Sequence, residues 1–565
     1  MKTFSHYALT LLLAVASLDA PIAVGQSIPK PASNRQGGEL SLTELVGRHP
    51  LVFEGHVVGQ RSFWNASHTK ILTATTIEVF TVFKGNVGPT MEIITEGGVV
   101  GEEGMGVFDG DQPALGKSSA GLFFAQPYSK NDLAANASAA PAVEVNAGAQ
   151  GYWMYQRPAR ATQTVAITPY RVYDDIPALV QAPIAAAAGQ TPRVLKSFDA
   201  RRFDPFAATA PPQQKVTTPV APQKKTASQT GAEAAAAPNS PTAAPVITGF
   251  SPTSIKAGTF DILTINGTDF GTAKPRVFFT SSNNDASIEC PPENIFSFTN
   301  TIIQLYVPSN DGTNPPFGIS AGTGPIYVES NNIRSNVPNT DITIIRSETT
   351  YNDPLITPTA YRQTRLVSAN GAGGYTFKYD QNIYNTPEAV RLIEAALQKW
   401  RCETLVNIGD DVSAATPYVQ GTPECNISFA PSGTMGARLM STYGYFRTCS
   451  NSATNGRFVY TTAMDIQINP DKFWNYSLEG DPYSADEYDF KTSILHELGH
   501  AIGLQHVKDQ SKLMYNFLGP RQARYYLSAE PEIGGGANIL DRSTRQQTCT
   551  SNSYTAMQAL TTRKC

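Results

Sequence analysis

Apolar and polar positions alternate with a period of two along much of the first half of this chain. Leu51 to Val58, Ile71 to Phe83, Met91 to Thr95 and Gly121 to Ala125 each read as a strand, rich in β-branched or aromatic residues and separated by glycine-containing turns. Together they predict one β-domain, barrel-like, over residues 26–182. The pattern then fails: from about Pro183 to Ala244 the chain is mostly Ala, Pro, Gln, Thr and Lys. So few large apolar side chains cannot offset the entropy of ordering, and 183–244 is predicted to be a linker. Strands return at Ile262–Asn266, Arg276–Thr280, Ile302–Val307 and Pro325–Glu329, at the spacing of a sandwich over 245–346. Beyond residue 347 the period changes again. Thr386-Pro387 is a helix start, followed by Val390, Ile393, Leu397 and Trp400 at helical spacing. Ile427–Phe429 and Met464–Ile468 alternate as strands, and Asp489 is placed to cap a second helix. The expected fold class is thus multidomain: an N-terminal β-domain, a β-sandwich and a C-terminal α/β domain over 347–565.

The opening of the sandwich carries a resemblance. Pro245-Val-Ile-Thr-Gly-Phe-Ser-Pro252, Gly258 and Leu263-Thr-Ile-Asn-Gly-Thr-Asp-Phe-Gly271 are similar to the immunoglobulin-like TIG (IPT) fold. What this implies is a spacer or binding module; fold likeness alone assigns it no ligand.

Composition narrows the function. Lys+Arg 43 against Asp+Glu 47 gives a net charge of -4, leaving no basic surplus to neutralise phosphates, so nucleic acid is not an expected partner. Lys2 precedes an apolar run from Ala8 to Leu18, with Ala23-Val24-Gly25 as small residues at a cleavage site. That is the pattern of a signal peptide over 1–25 and a mature chain from Gln26, secreted and extracellular. Asp19 and Pro21 break the run short of the ~20 residues a membrane span needs. Export would let the six cysteines (Cys290, Cys402, Cys425, Cys449, Cys549 and Cys565) form disulfides, with Cys549–Cys565 and Cys402–Cys425 as plausible local pairs among fifteen connectivities.

One segment carries chemistry: His496-Glu497-Leu498-Gly499-His500-Ala501-Ile502-Gly503-Leu504-Gln505-His506. Residues four apart share a helix face, so His496 and His500 can offer nitrogens to one ion. Gly503 can adopt a left-handed conformation and turn the chain so that His506 returns as a third ligand. Three neutral imidazoles suit Zn2+ with one open position, and Glu497 is placed to accept a proton from water. His49, His56 and His68 lack any ligand spacing and read as ordinary strand or surface residues.

At these residues the chain resembles the metzincin peptidases, whose pattern is HExxHxxGxxH followed by a methionine turn. Ser511-Lys-Leu-Met514-Tyr matches that turn, and Leu513-Met514-Tyr515 looks most like the matrixin branch. The resemblance implies that Met514 lies beneath the metal without ligating it. Asn516 stands where other branches place a ligating tyrosine, so no tyrosine ligand is expected. Two departures are visible: Val507 replaces the Ser or Thr usual in matrixins, and this region lacks the extra histidines of their structural zinc. Glu479, Asp481, Asp486, Glu487 and Asp489 form an oxygen-rich stretch of the kind that binds Ca2+, or else a solvated acidic loop. Matrixins also use a pro-segment thiol for latency, but no cysteine here precedes Cys290.

The expectation is a secreted zinc endopeptidase acting on proteins or peptides through a metal-activated water. The competing reading is a secreted adhesion or matrix-binding protein whose peptidase domain has lost activity; the intact ligands and Glu497 argue against it.

Overall fold

The long alternating runs at the N-terminal end form two 14-residue strands, β1 (Leu51–Trp64) and β2 (Ile71–Lys84). The computed structural model describes residues 40–200 and 243–561, apart from short interior stretches of which 413–424 is the longest. The expected signal peptide and most of the expected linker lie outside the described residues. With β3 (Thr90–Glu96), β6 (Ala120–Pro127) and β7 (Ala142–Glu144), the two long strands make a ring in the order β1-β2-β3-β7-β6 that closes by pairing of β1 with β6. Phe53, Ile77, Val79, Ile93, Phe123 and Val143 fill its interior, as a period-two pattern requires. Between β3 and β6 the chain makes a hairpin, β4 (Gly98–Val100) and β5 (Glu103–Phe108), that leaves the barrel.

The linker boundary differs from the composition-based reading. Residues 182–188 form a helix, α2 (Ala182–Ala188), which packs with α1 (Leu42–Arg48) over the barrel and buries Ile184 beside Leu45 and Val46. Arg193 and Val194 then pair with β2. Alanine, read as a sign of disorder, here serves as a helix former.

From residue 246 two four-stranded sheets face each other. One comprises Val246–Ser251, Ile262–Thr268, Ile302–Tyr306 and Ile295–Phe298; the other comprises Ser287–Glu289, Arg276–Ser281, Ala321–Ser330 and Ile333–Arg334. Leu263 and Ile265 from the first and Val277, Phe279 and Val328 from the second share one core. Cys290 is buried in that core.

The C-terminal part is a sheet with helices. Strands β8 (Tyr375–Tyr379), β9 (Ile408–Asp411), β10 (Cys425–Phe429) and β12 (Gly456–Ile468) run parallel in the order β9-β8-β10-β12. β11 (Met440–Asn451) pairs antiparallel with β12. The sheet does not end there. The hairpin from the N-terminal region adds to β11, with Phe108 opposite Thr442, Gly106 opposite Gly444 and Glu103 opposite Arg447. Chain order therefore does not separate the domains, because β4 and β5 are the outer strands of the C-terminal sheet.

Helix α3 (Pro387–Thr404) buries Leu392, Ile393, Ala396, Leu397 and Trp400 against this sheet and against α4 (Phe490–Ala501). Its start differs from the expectation in one detail: the Thr386 hydroxyl donates to the Asn382 carbonyl and leaves the helix uncapped by a side chain. The Trp400 indole donates to the Leu495 carbonyl at 3.0 Å, locking α3 to α4. Helix α5 (Gly534–Ser543) follows, and a Cys449–Cys549 disulfide ties β11 to the segment beyond it. This corrects the expected Cys549–Cys565 pair. Cys402 is also disulfide-bonded, while Cys425 is a buried thiol, so those two are not joined.

Candidate metal centre

Asp489 starts α4 by accepting a hydrogen bond from the Thr492 amide at 2.5 Å and a second from the Tyr525 hydroxyl at 2.6 Å. That fixes the helix on which His496, Glu497 and His500 stand. The helix ends at Ala501, capped by Ile502, and Gly503 takes φ 107°, a region nearly closed to residues with a Cβ. The turn brings His506 back toward the helix. Beyond Gly503 the chain is braced from outside: the Thr349 amide donates to the Gly503 carbonyl at 2.8 Å and the Gln505 amide to the Ser347 carbonyl at 2.9 Å.

The three histidines meet at their Nε2 atoms. His496 and His500 are 3.0 Å apart there, His500 and His506 3.1 Å, and His496 and His506 3.3 Å. Ligands at about 2.0 to 2.1 Å from one ion in tetrahedral geometry stand about 3.3 to 3.4 Å from each other, so the trio has nearly the spacing of a zinc site. Each Nδ1 points away to an acceptor: Leu513 O at 2.7 Å, Leu504 O at 2.8 Å and Asn283 Oδ1 at 2.9 Å. Nδ1 must therefore carry the proton, leaving three lone pairs converging on one point, an arrangement that a cation stabilises. Burial lowers the basicity of all three rings, that of His496 to about 4; His496 lowers His500 further, and His500 and His496 lower His506. The neutral, ligating form is thereby favoured at neutral pH. Among the described residues this is the only group of three or more metal-ligating side chains.

Met514 is fully buried under α4, and its amide donates to Glu532 Oε1 at 3.1 Å. Gly499 makes room for it, since a Cβ there would stand 2.4 Å from Met514 Sδ and 3.2 Å from Trp400 Cζ2. Gly499→Ala is accordingly expected to destabilise the protein by about 1 to 3 kcal/mol through overpacking. Chemical denaturation checks this; an unchanged midpoint would mean that Met514 repacks freely.

Glu497 is 7% exposed, and its Oε2 accepts from the Thr442 hydroxyl on β11 at 2.7 Å. A cleft of about 110 Å3 opens on His500 and His506, lined by Phe108 and Gln112 from the N-terminal region, Asn283 and Phe317 from the sandwich region, and Asn516. The Phe108 ring lies nearly parallel to that of His500, 5.6 Å away, with Phe317 stacked behind it.

Sequence reasoning did not reach Asn283, Thr442, Phe108, Phe317 or Glu532, which follow no local motif. Of the acidic stretch, Glu479 and Asp481 lie outside the described residues. Glu487 accepts from the Ser484 amide and the Asn475 side chain, and Asp489 is the helix cap. His49 Nδ1 donates to the Leu45 carbonyl at the end of α1 and His56 sits beside Glu78, both apart from the trio.

Residues 373–531 match the model of the Matrixin family, peptidase M10. The region is a matrixin-like metallopeptidase domain, and it contains all three histidines, Glu497 and Met514. No curated protein matches the chain. A solved structure from Bacteroides thetaiotaomicron, described as a structural genomics protein of unknown function, is similar at 14% identity over 20% of this chain and 25% of that one, with a TM-score of 0.15. The likeness spans a quarter of that protein and carries no argument about fold.

Proposed function

We propose that this chain is an exported zinc-dependent endopeptidase, with a TIG-like immunoglobulin sandwich and a β-barrel as its accessory parts. The observation that carries the reading is the convergence of His496, His500 and His506 Nε2 atoms with every Nδ1 engaged elsewhere. Zinc, when bound, supplies Lewis acidity that acidifies a water and polarises a peptide carbonyl. The protein's own groups do the rest. The buried imidazoles stay neutral and fixed in one tautomer. Glu497, aimed by Thr442, takes the proton from the attacking water on its carboxylate and hands it to the departing amine. Polypeptide is the expected substrate class, consistent with the matrixin match. Among the described residues no helix is long and apolar enough to cross a membrane. In the acidic stretch, Glu487 and Asp489 already serve backbone and side-chain donors.

Metal analysis of the purified full-length protein after dialysis is expected to find one zinc per chain. Finding none, or two, would overturn the assignment.

A further inference from the structure

The three metal-facing histidines differ in what holds their outer nitrogens. His496 and His500 donate to the carbonyls of Leu513 and Leu504, both within the peptidase domain and close to the motif. His506 donates instead to a side chain, Asn283 Oδ1, 223 residues earlier in the sandwich region. Backbone carbonyls come with the fold of the domain; a side-chain amide does not.

The loop carrying Asn283 is built to present that oxygen. The Ser282 hydroxyl donates to the same Oδ1 at 3.0 Å. The Asn283 amide is anchored to Ser281 Oγ at 3.0 Å. The loop also grips the chain beyond His506. Lys508 pairs with Asp285, and the Asn516 side chain donates to the Asn283 carbonyl at 2.8 Å. Asn516 is the position at which a ligating tyrosine was excluded from the sequence, and here its side chain fastens the sandwich loop to the segment after the metal ligands.

We propose that Asn283 is a positioning residue of the metal centre, so that the sandwich completes the coordination site by fixing the tautomer and ring orientation of His506. The proposal rests on the zinc reading for its consequence, but its geometric content stands without metal. An imidazole in water exchanges its proton between two nitrogens. An acceptor at Nδ1 holds the proton there and turns the Nε2 lone pair toward His496 and His500. Outer hydrogen bonds of this kind typically account for about 10- to 100-fold in metal affinity.

Two measurements on the full-length protein separate this proposal from the zinc reading. In metal-free protein labelled with 15N-histidine, the His506 shifts are expected to report an Nδ1-protonated ring in the wild type and a tautomer mixture in Asn283→Ala. In parallel, competition with a chelator is expected to show zinc bound about 10- to 100-fold more weakly by Asn283→Ala. Asn283→Asp, whose carboxylate offers the same acceptor, is expected to retain the wild-type tautomer and most of the affinity, at an unchanged unfolding midpoint. A wild-type His506 protonated at Nε2 would overturn the proposal, as would equal losses in the Ala and Asp variants or an Ala variant that binds zinc normally. If the wild type binds no zinc, the zinc reading fails, while the tautomer experiment still decides the role of Asn283.

Discussion

Replacing Glu497 by alanine is expected to cut peptide hydrolysis by about 10²- to 10⁴-fold while leaving zinc bound, the range that a positioned general base contributes. The fold has little reason to suffer. Thr442, which donates to the lost carboxylate, also stands 3.0 Å from the Glu497 main-chain carbonyl and keeps that acceptor. None of the histidine outer hydrogen bonds involves Glu497. The measurement pairs kcat/KM on a general protein substrate with zinc content and circular dichroism. Turnover above a tenth of the wild-type rate would place the base elsewhere; loss of zinc would show that Glu497 supports the ligands.

A second large effect is expected away from the chemistry, at Glu348. This carboxylate is completely buried between positive and polar groups: it is ion-paired with Arg346, whose Nε lies 2.9 Å away, and with Arg542 Nη1, and the Asn538 side chain donates to it at 2.8 and 2.9 Å from its two oxygens. Arg346 has a further partner in Glu530 at 2.8 Å, but Arg542, itself buried, has Glu348 as its ion-pair partner. Removing one member of a buried pair leaves an uncompensated charge, so Glu348→Ala is expected to destabilise by about 3 to 5 kcal/mol. The lever reaches the metal centre as well, because Glu348 bridges Leu504 through the backbone and Leu504 O is the acceptor for His500. Denaturant unfolding of the variant tests this. A loss below about 1 kcal/mol would class the cluster with weak surface pairs.

What could be read from the sequence follows the range of the interactions involved. His496, Glu497 and His500 lie within one helical turn, and Gly503 precedes His506 by three positions, so local geometry suffices to propose a trio. The strands of the barrel and sandwich were legible because their alternation is a property of each segment alone. Asn283 and Phe108 meet the histidines from 223 and 392 positions away, distances at which spacing carries no information. β5 was missed for a local reason: Gly104 and Gly106 dilute the β-branched signal of Glu103–Phe108. The Ala-rich start of the expected linker shows the converse, where composition suggested disorder and packing of Ile184 made a helix. Cysteine pairing failed by proximity, since Cys449 and Cys549 join across 100 residues.

The pairing of β5 with β11 also bears on the order in which the molecule can be completed. Glu103 leaves the ribosome long before its partner Arg447, 344 positions later, so the strand made first is among the last to be satisfied. Until β11 arrives, the hairpin must wait with unpaired backbone. A fragment starting after the linker would carry the complementary problem, an open β11 edge ready to pair with any other strand. For expression and for evolution alike, the smallest unit that closes its own sheet begins within the N-terminal barrel, not at the boundary of the matrixin match.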